Sequence, residues 1–120
     1  MSLRRQALIV MAAYYAATGA WPLLHMRSFE AVTGPKTDRW LVKTVAALAL
    51  ANGAVLGFGA RRATISAETV ALAACSALAF SAIDVVYVTR GRIAPVYLGD
   101  AAVELALAAV IAAGDAIANG

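Results

Sequence analysis

Residues 69–89 read TVALAACSALAFSAIDVVYVT, with Asp84 as the single charge. At 1.5 Å per residue a helix of this length covers about 30 Å, the thickness of a bilayer's hydrocarbon core. The run is apolar on all sides, without the alternation of a barrel strand, and lipid offers no partner for unpaired backbone, so it must be a helix. Three further runs have the same character. Residues 7–24 (ALIVMAAYYAATGAWPLL) carry no charge, residues 40–60 (WLVKTVAALALANGAVLGFGA) only Lys43, and residues 93–117 contain Asp100, Glu104 and Asp115. The expectation is an all-α protein: an integral membrane bundle of four transmembrane helices at about 5–24, 39–60, 67–89 and 94–117, forming a single transmembrane domain over 1–120. Arg4 and Arg5 precede the first run as in a signal peptide, but the run is too long for one. Trp21-Pro22 stands where a small-residue cleavage site would be, and three spans follow.

Composition agrees. Of 120 residues, 62% are hydrophobic and 14% charged, against roughly 25% charged in an ordinary soluble domain. A net charge of +3 on so apolar a chain excludes disorder. The ten Lys and Arg fall in short clusters between apolar runs, not on one basic face, which argues against a nucleic-acid partner. The single Cys75 excludes a disulfide scaffold and, mid-helix among Ala and Ser, reads as a small buried residue.

Local signals mark the helix ends. Gly34-Pro35 breaks the chain, Thr37 or Asp38 can cap the second helix, Ser66 can cap the third, and Pro95 suits the first turn of the fourth. Residues 25–39 read as a polar loop. Four spans put the termini and residues 61–68 on one side with four Lys and Arg; the other side has six, a difference too small to fix the orientation.

Charges inside a span cost roughly 2.5–3.5 kcal/mol each on insertion scales, so each asks for a reason. Because helix direction alternates, Asp84 near the end of the third helix and Asp100 near the start of the fourth both lie roughly 7–9 Å below the same surface. Glu104 lies one turn deeper than Asp100, and Lys43 one turn below that surface. Tyr97, Asp100 and Glu104 share a face of the fourth helix; Ser81, Asp84 and Tyr87 share one of the third. If both faces point inward, three carboxyls, two phenols and a hydroxyl line one cavity, with Lys43 pairing one carboxylate. The remaining acidic surplus asks for a proton or a cation. The competing reading makes Asp84, Lys43 and Asp100 an ion-pair network that locks helix register, with Arg39 or Arg92 snorkelling in. It makes Tyr87 and Tyr97, with Trp21 and Trp40, interfacial anchors. His25 is the only histidine and a weak metal signal, and Asn52 is expected to bond across to another helix.

No nucleotide loop, zinc signature or nucleophile elbow occurs, and neither catalytic residues, a cofactor nor a metal is expected. Alanine makes up about a quarter of the chain, and Gly53 and Gly57 form a small-xxx-small step. Four thin helices enclose little space, so that step also suits a homodimer.

Residues 27–43, RSFEAVTGPKTDRWLVK, resemble a segment of small four-span bacterial membrane proteins of uncharacterised function. The resemblance covers the first loop and the start of the second helix. It implies a bacterial plasma membrane and no particular activity. In architecture alone, four helices with buried carboxylates resemble the EXPERA membrane domains, which hold sterols or amphiphilic amines. Small multidrug resistance transporters share the size and span number but use a glutamate in their first helix, where this chain has none. Two functions follow as expectations: binding or transport of a lipophilic or cationic small molecule at the carboxylates, or a structural or accessory subunit whose first loop docks a partner.

Overall fold

The computed structural model describes the backbone of residues 2–119 and the side chains of residues 2–114. Its helices are α1 (Leu3–Leu24), α2 (Met26–Thr33), α3 (Arg39–Ala60), α4 (Ala67–Thr89) and α5 (Tyr97–Asn119), with no strand among the described residues. The stretches Leu3–Leu24, Arg39–Ala60, Ala67–Thr89 and Tyr97–Gly114 are each long and apolar enough to cross a membrane. The long axis of 46 Å matches the roughly 40–45 Å of a bilayer with its headgroups. This is a four-span membrane protein. Its outer surface carries Leu48, Phe58, Leu78 and Ile83, each more than half exposed, a surface that suits lipid and would be an aggregation hazard in water.

α1 organises the bundle, lying antiparallel along α3 and also against α5, which pairs with α4; α3 and α4 meet mainly near their connecting turn. Small residues permit the α1–α3 contact. A Cβ on Gly19 would come within 2.6 Å of the Ala46 carbonyl oxygen, and one on Gly53 within 2.8 Å of that of Ala12. Backbone thus touches backbone, the close approach that drives helix association where lipid is as apolar as leucine. Gly57 is different: its Cβ would meet only the Ala12 methyl at an ordinary 3.6 Å. The step that suited a homodimer is therefore half taken up inside the chain.

The ends are tied. Ser2 and Ser66 accept hydrogen bonds from the Arg5 and Thr69 amides at 3.1 Å, capping α1 and α4. Arg5 donates to the carbonyls of Ala60, Arg62 and Ala63 at the end of α3, where unpaired carbonyls and the negative end of the dipole favour a cation. Arg4 bonds the Ile111 carbonyl on α5 at 2.7 Å. Asn52 donates a long 3.4 Å bond to Ser76 on α4, as its position leads one to expect.

Three expectations need correction. Residues 25–39 are not all loop: His25 ends α1 and its imidazole accepts the Ser28 amide at 3.2 Å, which starts the eight-residue α2. Gly34, at φ +100°, ends it. Pro95 lies in a tight turn before α5, where the Tyr97, Leu98 and Gly99 amides bond carbonyls three residues back, so the helix starts at Tyr97. Cys75 is exposed, on the lipid-facing side of α4. The side chain of Asp115 lies outside the described residues.

Candidate buried acidic site

α4 and α5 lie side by side, and Asp84 and Asp100 sit at the ends of these helices nearest their short connection. Asp84 lies five residues before the end of α4 and Asp100 three after the start of α5, with Glu104 one turn further in. One oxygen from each carboxylate falls within 4.8 Å of the other two. Asp84 and Glu104 are buried and Asp100 is half-buried.

α1 supplies the hydrogen bonds. Tyr14 donates to Asp100 and Tyr15 to Glu104. These adjacent phenols stand in the middle of an uncharged span, where a polar hydroxyl must find a partner. The Tyr15 ring, 2% exposed, also packs on Phe80 of α4 with centroids 5.6 Å apart, so one residue joins α1, α4 and α5. Ser81 Oγ and Asp84 Oδ2 are buried without hydrogen-bond partners. They are three residues apart on one face of α4, next to the Phe80 that meets Tyr15.

The structure thus brings Asp84, Asp100 and Glu104 together, with Ser81 on the same buried face, and leaves out three residues expected there. Lys43 is exposed and makes no ion pair with these acids; among the described residues no Lys, Arg or His does. It sits on α3, which packs on α1 and meets α4 mainly toward the opposite end of the bundle. Tyr87 is 37% exposed, with the Arg90 guanidinium 5.9 Å from its ring, an interfacial position. Tyr97 points up into the surface cap, where its hydroxyl accepts from Lys36 Nζ at 3.0 Å. The two phenols at the acids come from α1 instead of being Tyr87 and Tyr97. Their signal in the sequence was the Tyr14-Tyr15 pair itself, at mid-membrane depth within the uncharged stretch 7–24.

The cap is a second polar layer. The Trp21 indole donates to Ser28 at 2.8 Å and meets Phe29 edge-on. Lys36 sits over the Phe29 and Tyr97 rings, linking the segment before α3 to the start of α5. Glu30 accepts the Lys36 amide at 3.0 Å and pairs with Arg39 at 2.8 Å. The hydrogen bond from the Lys36 amide, the largest effect, holds its carboxyl below the usual range, with Arg39 helping against the opposing effect of burial.

No protein-family model, curated protein or solved structure matches this chain.

Proposed function

We propose that this protein binds a cation, organic or inorganic, inside the membrane, at Asp84, Asp100 and Glu104. The observation that carries the reading is three carboxyls within 4.8 Å of one another, in a bundle where no described basic side chain pairs with them. Three carboxylates at such range cannot all stay charged without compensation, because burial and mutual repulsion both oppose ionisation. A bound cation supplies the missing charge; protons fill the site when it is absent. A purely structural role would call for a packed ion-pair network. What holds the acids instead is two phenols, which lock α1 to α5 and leave the net charge unanswered. The setting is a bacterial plasma membrane, on the resemblance of residues 27–43.

Equilibrium dialysis of the purified protein in lipid nanodiscs tests this, with tetraphenylphosphonium as lipophilic cation and calcium and manganese as inorganic ones. At least one is expected to bind saturably, with affinity falling ten-fold or more in Glu104→Gln while circular dichroism stays unchanged. Saturable binding to none of them, or binding indifferent to Glu104, overturns the proposal.

A further inference from the structure

On that reading, we infer that the cation is a bare hard divalent metal ion, of calcium or manganese size, ligated by Asp84, Asp100, Glu104 and the Ser81 hydroxyl. Two oxygens on one ion stand no further apart than twice the metal–oxygen distance, about 4.6–5.2 Å for calcium. One oxygen from each carboxylate lies within 4.8 Å of the other two, inside the upper end of that limit. Every available donor is oxygen, the set preferred by calcium, magnesium and manganese over softer metals.

The orphaned atoms point the same way independently. Ser81 and Asp84 are 4% and 5% exposed, and Ser81 Oγ and Asp84 Oδ2 have no hydrogen-bond partner. A buried oxygen left so has given up water without a replacement partner, which is unfavourable. Both lie on the face of α4 beside Phe80, whose ring meets Tyr15, the donor to Glu104, so that face is turned toward the acids. One metal ion satisfies both atoms. An organic ammonium would need room for its carbon groups as well. Tyr14 and Tyr15 each hold one oxygen of Asp100 and Glu104, fixing the ligands from outside as supporting hydrogen bonds do in metal sites.

Terbium, a luminescent stand-in for calcium, tests this because tyrosines beside its ligands sensitise its emission. After chelator treatment, the protein in nanodiscs is titrated with terbium under excitation of its aromatic residues. The expected result is saturable emission that calcium or manganese displaces. Asp84→Asn should weaken binding at least ten-fold and Ser81→Ala several-fold, with melting temperatures close to the parent and Glu30→Gln unchanged. Absence of saturable emission, or emission indifferent to both substitutions, overturns the inference. Glu104-dependent binding of tetraphenylphosphonium without metal binding would sink the metal alone; loss of both removes the broader reading as well.

Discussion

Tyr15 is the residue on which the interior turns, because its ring packs on α4 while its hydroxyl serves Glu104 on α5. Cross-helix hydrogen bonds in membranes average about 0.6 kcal/mol and reach about 1.7 kcal/mol, and the acceptor left behind here is buried. Tyr15→Phe keeps the ring and removes the bond, so it should destabilise the protein by about 1–2 kcal/mol. Tyr14→Phe should cost less, since its partner Asp100 is only half-buried. Unfolding in mixed micelles by added SDS measures both, and equal, negligible losses would contradict these pairings. The acids were legible in the sequence because a charge in an apolar run is conspicuous and helix alternation fixes its depth. The phenols were not: tyrosine tolerates both core and interface, so Tyr87 and Tyr97 near the helix ends looked as eligible as the pair on α1. Lys43 misled for a related reason, as depth along the membrane places a residue without saying which helix it faces.

Among the elements, α3 and α4 occupy the spans expected from hydropathy, whereas α5 starts three residues later than expected because Pro95 belongs to the preceding turn. α2 escaped notice because its eight residues give hydropathy too little to average, and its start depends on a histidine cap that composition does not announce. The glycines separate packing from propensity. Gly19→Ala and Gly53→Ala press a methyl against the backbone of the facing helix and should each cost about 1–3 kcal/mol by overpacking. Gly57→Ala should be tolerated, and Gly99→Ala, with nothing within 4 Å, should be neutral or mildly stabilising through helix propensity. The same SDS titration ranks all four, and a costly Gly99→Ala beside a harmless Gly53→Ala would contradict the α1–α3 contact. The cap responds to acid. Folding holds the Glu30 carboxyl below its ordinary range, so the fold favours its charged form. That contribution is complete at neutral pH and fades as pH falls through the folded-state value. Hydrogen-exchange protection of residues 26–36, corrected for intrinsic rates, should therefore drop in acid, and Glu30→Gln should show the lower protection already at neutral pH. Equal protection in both proteins across the range would remove the clasp from the account.

For the molecule as a whole, the decisive question is how many times the chain crosses. Eight residues of α2 extend only about 12 Å, too short to span, so α1, α3, α4 and α5 make four crossings. Thr37 precedes α3 and Thr64 follows it, and both are exposed; they must lie on opposite faces of the membrane. In a Cys75→Ala background, Thr37→Cys and Thr64→Cys should therefore react with a membrane-impermeant maleimide from opposite sides of sealed vesicles. One should label at once and the other only after permeabilisation. Cys75 supplies the complementary measurement in the parent protein. It lies on the outside of α4, far from either helix end, where hydrocarbon keeps a charged reagent from arriving. It should stay unlabelled until SDS unfolds the bundle, although the same exposure in water would let it react at once. Labelling of Thr37→Cys and Thr64→Cys from one side would mean that α3 does not cross. Prompt labelling of Cys75 would place α4 in contact with water, and the low-dielectric surroundings on which the proposed cation site depends would then be lost.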